Sequence, residues 1–332
     1  MIILEKLVLS PTRLWASVDV KNNRIVAGED KGDVYIWDLV NPGNNIIAYP
    51  TGVPSGEILT YWYTVAIENN VVLAGAAQGR VYISLNLGVS WEERSPSANR
   101  SNMASAIETK DGICSIFLGD NVGIYKTTNY GESWSQLDPL QDGENSFGHW
   151  YSIDIDNGNV IAAMYSDKPY LKGRLCISTD SGLTWVERKP AGEGKKAWRA
   201  VAIHGNYMLA GIYNGRLYLS NNFGNSWTET RPAGNNDIEW RCASISDSLM
   251  VVGSDNGRLY VSEDYGESWA EIRPYGDVDK RWLHSSADDK MIVVAPFGGE
   301  IWIITPSIPI VNTLSAERSR VHARVILRGG IS

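Results

Sequence analysis

Residues 198–232 read WRAVAIHGNYMLAGIYNGRLYLSNNFGNSWTETRP, and residues 240–274 read WRCASISDSLMVVGSDNGRLYVSEDYGESWAEIRP. The second stretch is the first one again, 42 residues later. Self-similarity at that period marks a repeat architecture. Each copy breaks into four strand-length segments. WRAVAI alternates in side-chain character, YMLAG is an apolar run stopped by Gly211, RLYLS follows Asn214-Gly215, and SWTETRP ends at Pro232. The segments are rich in β-formers and separated by turn residues. Asn-Gly suits a turn that needs positive φ. Four antiparallel strands in a unit of roughly 40–50 residues describe one blade of a β-propeller.

Between the third and fourth segments lies SNNFGNSW, and related octamers recur at Ser84–Trp91, Thr127–Trp134, Ser178–Trp185, Ser220–Trp227 and Ser262–Trp269. The pattern resembles the Asp-box, S-x-D-x-G-x-x-W, of the BNR or sialidase-like propellers. The acidic position is Asp180 and Asp264 in two copies and Asn86, Asn129 and Asn222 in the others. Asp and Asn can both accept backbone N–H bonds in a tight turn, Gly supplies positive φ, and Trp covers the hairpin. These five positions therefore read as structural. The resemblance implies that they lie on the face opposite a functional site.

A glycine precedes or opens the third segment at Gly32, Gly79, Gly123, Gly173, Gly215, Gly257 and Gly299, at spacings of 42–50 residues. Seven marks predict an all-β, single seven-bladed propeller of four-stranded antiparallel blades. The first unit has WDLVNPGNN in place of a box. The last unit has three segments, RWLHSSA, MIVVA and EIWII, and no fourth. Residues 2–9, IILEKLVL, are expected to supply it, so that the N-terminal strand closes the ring and removes the free sheet edges of an open array. The propeller is then residues 1–305. A C-terminal extension of 306–332 remains, carrying Arg318, Arg320, Arg324 and Arg328 against Glu317. Its sequence allows a short helix or a strand, and it reads as a tail for docking on a protein partner or for self-association.

The chain of 332 residues has 43% hydrophobic residues and 13 tryptophans, enough for a large core in one all-β domain. A net charge of −8 argues against nucleic acid as a partner. The start MIILEKLVLS lacks the features of a signal peptide, and no apolar run reaches membrane-span length. A cytoplasmic origin, with a virion as one destination, and no membrane insertion are expected. Cys114, Cys176 and Cys242 fall in different units and read as core thiols. The four histidines match no metal spacing, so neither a metal nor another cofactor is expected.

In a propeller the first strand of each blade lines the central channel. A tryptophan opens that segment at Trp15, Trp62, Trp150, Trp198, Trp240 and Trp282, with Asn102 in the third unit. Arg199 and Arg241 follow two of them, Arg281 precedes a third, and Arg216 and Arg258 open third strands on the same face, as do Arg80 and Arg174. One reading is a ring of ligand pockets, in which indoles stack on sugar rings and arginines hold hydroxyls or carboxylates. The other is blade architecture, with each indole packed between blades and arginine stacked upon it.

Asp-box propellers include sialidases, xyloglucan-type hydrolases, sortilin-like receptors, photosystem II assembly factors of the Ycf48 kind, and lectins. A sialidase resemblance implies an arginine cluster, a tyrosine–glutamate pair, an acid aspartate and an F/Y-R-I-P motif; Pro11-Thr12-Arg13-Leu14 does not match it. Glu57, Asp154, Glu239 and Asp279 form no recognisable pair of glycosidase carboxylates and read as solvated loop acids. No catalytic set is found. The expected function is a non-catalytic, protein-binding or structural propeller within a larger assembly, such as a tail or head-decoration subunit of a phage. A carbohydrate-binding propeller using the Trp/Arg face is the alternative, and a sialidase-like glycosidase is a second one.

Overall fold

The computed structural model describes residues 2–7, 13–41, 45–48, 61–77, 79–96, 102–121, 123–139, 149–165, 173–194, 196–255, 257–307 and 324–325. The secondary structure there is all β, and no helix is long and apolar enough to cross a membrane. Pairing sorts the strands into seven groups of four antiparallel strands. The first group is Arg13–Lys21, Arg24–Glu29, Val34–Asp38 and Ile46–Ala48, so the unit without a box still builds a fourth strand. The fifth, Trp198–His204 with Tyr207–Gly215, Leu217–Ser220 and Thr228–Thr230, represents the regular units. In the last group, Trp282–Asp288, Met291–Gly299 and Trp302–Pro306 are joined by Ile2–Lys6, which pairs in register from Ile2↔Pro306 to Lys6↔Trp302. Leu4 from that strand is buried with Trp302, Ile292 and Ile304.

The first strands stand side by side around an axis. Each of Arg13–Lys21, Trp62–Glu68, Asn102–Lys110, His149–Asp156, Trp198–His204, Ile238–Ile245 and Trp282–Asp288 contacts the next, and the last returns to the first. The ring is therefore closed, and its interior is a channel. A hydrophobic core lies between each pair of neighbouring sheets, as in the cluster of Ala200, Leu209 and Leu217 from one sheet with Trp240, Val252 and Tyr260 from the next.

One contact recurs at these interfaces. A glycine in the second strand faces the tryptophan of the following blade. A Cβ on Gly28 would lie 2.7 Å from Trp62 Cβ, on Gly211 2.8 Å from Trp240 Cβ, and on Gly253 2.8 Å from Trp282 Cβ. The indole then donates its Nε1 hydrogen to a carbonyl of the preceding blade: Trp62 to Gly32 (2.9 Å), Trp240 to Gly215 (3.1 Å), and Trp15 to Gly299 (3.0 Å) across the closure. Gly32, Gly215, Gly257 and Gly299 are thus acceptors for the neighbouring tryptophan, whereas among the described residues Trp150 Nε1 is buried without a partner. At the Asn214-Gly215 turn positive φ falls on Asn214, at 57°.

The five (S/T)-x-(N/D)-x-G-x-x-W turns share one hydrogen-bond set, with Thr127 in place of serine in one. In the copy at 220–227, Ser220 Oγ donates to Asn222 Oδ1 (3.0 Å), and that oxygen accepts from the Ser226 amide (2.8 Å). Ser220 Oγ accepts from the Gly224 amide (2.9 Å). Asp180 and Asp264 do the same work, accepting from the Thr184 and Ser268 amides at 2.8 and 2.9 Å. The residue before the glycine is also left-handed: Leu87, Tyr130, Ser181, Phe223 and Tyr265 have φ of 54–56°.

Replacing Gly211 with valine should overpack the Trp240 seat and lower unfolding stability by about 1–3 kcal/mol, and Trp240→Ala should cost about 3–5 kcal/mol. Denaturant melts of the two variants check this; an unchanged midpoint for Gly211→Val would refute the seating.

Candidate functional site at the channel mouth

The six tryptophans expected as ligand platforms are closed to a ligand. Trp62, Trp150, Trp198, Trp240 and Trp282 are at most 2% exposed, and Trp15 is 5% exposed. The reason is the small residue facing each ring, glycine for Trp62, Trp150, Trp240 and Trp282 and alanine for Trp15 and Trp198: two blades close on the ring and leave no stacking face. Arg216 and Arg258 are committed as well. Arg216 pairs with Asp237 at 3.0 Å, and Arg258 with Asp279 at 3.3 Å and Glu271 at 3.5 Å, tying third strands to fourth strands and their loops.

What remains is set by a bulge. In all seven first strands the ladder slips by one residue just after the position of the tryptophan, as between Trp15/Ser17, Trp62/Thr64, Trp150/Ser152, Trp198/Ala200 and Trp240/Cys242. A bulge leaves its extra residue out of the ladder and re-aims its side chain. Tyr63, Tyr151, Arg199 and Arg241 occupy that position. Arg199 is half-buried between three phenol rings, with its guanidinium carbon 4.5 Å from the Tyr151 centroid, 4.9 Å from Tyr165 and 4.7 Å from Tyr213. The rings support one another edge to face, Tyr151 on Tyr165 at 5.2 Å and Tyr165 on Tyr213 at 5.7 Å. Each such cation–π contact is worth about 0.5–2 kcal/mol. Among the described residues no carboxylate pairs with Arg199 and no acceptor takes its N–H groups. Stacking holds the faces of the guanidinium and leaves its in-plane donors for an incoming acceptor.

Beside the cage lies a satisfied cluster. Asp255 accepts from Arg281 Nε at 2.8 Å, sits 3.7 Å from Arg241 and receives the Tyr213 hydroxyl at 3.4 Å. Arg281 also lies over Phe297 at 5.5 Å. Arg199, Arg241 and Arg281 thus gather at one mouth, but only Arg199 lacks a carboxylate. The three tyrosines belong to no motif of the sequence. Their signal was present: Tyr165 and Tyr213 end the second segments AAMY and AGIY of consecutive units.

Below the mouth the channel is a polar cavity of about 180 Å³, lined by groups such as Ser17, Thr64, Ser152 and Ser244. Asp154, expected as a loop acid, is inside it. The turn preceding this strand is not where the residue sits; it is the sixth residue of the first strand His149–Asp156, on the channel side. Its carboxylate accepts from the Ile155 amide (2.9 Å) and from the Ile203 amide of the next blade (2.9 Å). Asp19 does the same for Val20 (2.9 Å) and Ile67 (2.7 Å), and Ser286 donates to it. The two carboxylates stitch first strands together. Burial, opposed by these hydrogen bonds, pushes Asp154 up to about 7 and Asp19 up to about 6. Burial, with the nearby Arg199 charge, pulls His284 down to about 4. Glu239 pairs through its backbone with Tyr213, Asp279 meets Arg258, and Glu57 lies outside the described residues, so these acids form no pair.

The cysteines are free and buried, with the Cys114 and Cys242 thiols pushed up to about 11 and 12 by burial. Among the described residues no cluster of three or more metal-ligating side chains occurs. Of the tail arginines, Arg324 lies in a short strand, and Arg318, Arg320 and Arg328 lie outside the described residues.

No protein-family model matches the chain, and no curated protein matches it in sequence. Solved structures match its fold. Ycf48 from Cyanidioschyzon merolae superposes with a TM-score of 0.67 at 12% identity, over 92% of this chain and 99% of that one. The WD40 repeats of RRP9 give 0.67 at 11% identity, over 91% and 97%. The GH74 xyloglucanase from Xanthomonas campestris gives 0.67 at 14%, covering 90% of this chain and 53% of the enzyme. The chain therefore has the propeller fold of these proteins.

The Asp154 shift predicts a pH dependence. A carboxyl raised above its unfolded value of 3.8 takes up a proton in the native state first, so its contribution to stability rises as pH falls through about 7. His284, lowered from 6.5 to about 4, acts in the opposite sense, but only below about 6.5. Asp154→Asn should therefore flatten the rise in stability between pH 8 and 6.5, while its amide can accept only one of the two backbone N–H bonds that the carboxylate takes. Thermal melts across that range check it; an unchanged slope would show that Asp154 titrates as an ordinary carboxylate.

Proposed function

We propose that this chain is a non-catalytic interaction propeller of the Asp-box kind that docks a protein partner on the face where the first strands begin, with Arg199 receiving a carboxylate of that partner. The observation that carries this reading is the unpaired guanidinium held among Tyr151, Tyr165 and Tyr213 at the channel mouth. A rigid, half-desolvated arginine loses little freedom on forming a forked bond with a carboxylate, and its charge needs an acceptor. Tyrosine and arginine are also the residue types that carry binding energy at protein interfaces. One of the structural neighbours is a Ycf48 solved with a D1 peptide, at a TM-score of 0.68 and 12% identity, which is a precedent for peptide binding on this fold.

The glycan reading draws less support, because the indoles that would stack on sugars are buried. The glycosidase reading is weakened in the same way, since the channel carboxylates Asp19 and Asp154 are engaged with backbone amides. A role as a subunit of a larger assembly, a phage particle being one setting, is consistent with docking at this mouth and with a tail that serves as a second contact.

An array of short peptides with free or amidated C-termini, and with acidic or neutral side chains, tests the reading. Binding should require a carboxylate and weaken at least about tenfold, near 1.4 kcal/mol, in Arg199→Ala, with Tm compared to separate folding from binding. Binding to a glycan array that Arg199→Ala leaves intact, with no peptide bound, would overturn it.

A further inference from the structure

The tryptophans of the five boxes take two poses. Trp91, Trp185 and Trp227 donate Nε1 to the glycine carbonyl of their own box at 3.0–3.1 Å. Trp134 and Trp269 reach instead to the preceding blade, Trp134 to the Arg94 carbonyl and Trp269 to the Thr230 hydroxyl, both at 2.8 Å. What fills the furrow between two blades on this side is the third residue after the box tryptophan of the first of them: Arg94, Leu137, Arg188, Thr230 and Ile272 hold that position. Arg94 donates to the Tyr130 carbonyl of the next box (3.0 Å), and a Cβ on Gly131 would lie 2.9 Å from Arg94 Cβ. A Cβ on Gly182 would lie 3.3 Å from Leu137, Arg188 donates to Asn225 (3.2 Å), and Ile272 is buried with Trp282 and Trp302.

Thr230 is the short member of this set. Its hydroxyl takes the Trp269 donor and lies 3.4 Å from the Gly266 carbonyl, and its side chain ends there. The furrow between the fifth and sixth blades is left as a cavity of about 410 Å³. That is within the range of small-molecule sites, roughly 300–1,000 Å³. Leu219 and the half-buried Trp269 supply its apolar part, Thr228 and Ser268 bring hydroxyls, and Glu229 and Glu267 bring carboxylates. Glu229 is tied to Arg231 at 2.7 Å, whereas among the described residues the exposed Glu267 pairs with no cation. The indole has given its one donor to Thr230, so its ring is what it can offer a ligand. An aromatic ring beside carboxylates and hydroxyls suits a pyranose, whose C–H face stacks on the indole while its hydroxyls donate to carboxylate oxygens. Two carboxylates against one arginine that is already paired disfavour an acidic sugar.

We infer that the furrow between the fifth and sixth blades, at Trp269, Leu219 and Glu267, is a binding site for a neutral pyranose, such as the terminal hexose of a glycan. The site is separate from the Arg199 cage and does not rest on the peptide reading. The first-strand indoles are closed to sugars by their packing, and the box indole at Trp269 is left accessible because Thr230 stands where other blades place arginine, leucine or isoleucine.

The full chain is tested on an array of neutral oligosaccharides ending in glucose, galactose, mannose or N-acetylglucosamine, beside their sialylated counterparts. Thr230→Arg puts into the furrow the side chain that the fold accepts at Arg94 and Arg188. The expected result is binding to neutral glycans that falls at least about tenfold in Thr230→Arg at an unchanged Tm and is retained in Arg199→Ala, so that this site and the peptide site fail independently. Glu267→Gln, an exposed change that leaves the packing alone, should weaken binding several-fold and serves as the test if Thr230→Arg does not fold. Absence of binding to every neutral glycan, binding confined to the sialylated set, or binding unchanged in a folded Thr230→Arg or in Glu267→Gln overturns the inference.

Discussion

Six of the seven blades of this propeller hold the tryptophan of the next. At Trp62, Trp240 and Trp282 the indole fits because a second-strand glycine leaves room for its Cβ, and its Nε1 hydrogen finds a carbonyl in the same preceding blade. A ring of sheets must bury one face of each sheet against its neighbour without leaving voids or unpaired polar atoms. A large flat side chain with one donor, set against a residue with no side chain, meets both demands. The contact from Trp15 to Gly299 is the same bond made across the ends of the chain. The closure therefore repeats the indole–carbonyl bond of other interfaces, although its strands come from opposite termini.

Seating the tryptophan also determines what the channel mouth displays. The bulge lies directly after that residue, so the side chain released from the ladder is held at a fixed height above a buried anchor. In consecutive blades this position is Tyr151, Arg199 and Arg241. Two tyrosines from the ends of second strands complete the cage around Arg199, while Asp255 satisfies Arg241 and Arg281. A surface that is regular in backbone thus becomes irregular in charge, with one guanidinium unpaired among paired ones. Such asymmetry is what a repeat scaffold needs to recognise a single partner.

The interior of the channel follows a different logic. Its carboxylates line the polar channel, partly buried, and their oxygens accept amides of the adjoining first strand. Burial favours their neutral form and the amides favour the charged one. Asp19 and Asp154 therefore serve the ring as connectors, at a cost that grows with pH. This separates the rigid, structural channel from the mouth, where the exposed edge of the cage is free to act.

Periodicity in the chain was sufficient for the fold. Trp, Gly and the five (S/T)-x-(N/D)-x-G-x-x-W turns recur at equivalent positions because each makes a local or nearest-neighbour contact, and the missing fourth segment pointed to residues 2–9, of which Ile2–Lys6 pairs with Trp302–Pro306. Function was less legible for the same reason. A residue that recurs, such as Trp198, looks equally like a site and like a scaffold, and only packing showed it to be buried. Asp154 resembled a loop acid until the strand placed it inside the channel, and Tyr151, Tyr165 and Tyr213 converge on Arg199 from three strands across two blades. Repeated local contacts were written in the sequence. Which arginine stays unpaired depends on distances between strands, and those exist only once the ring has closed.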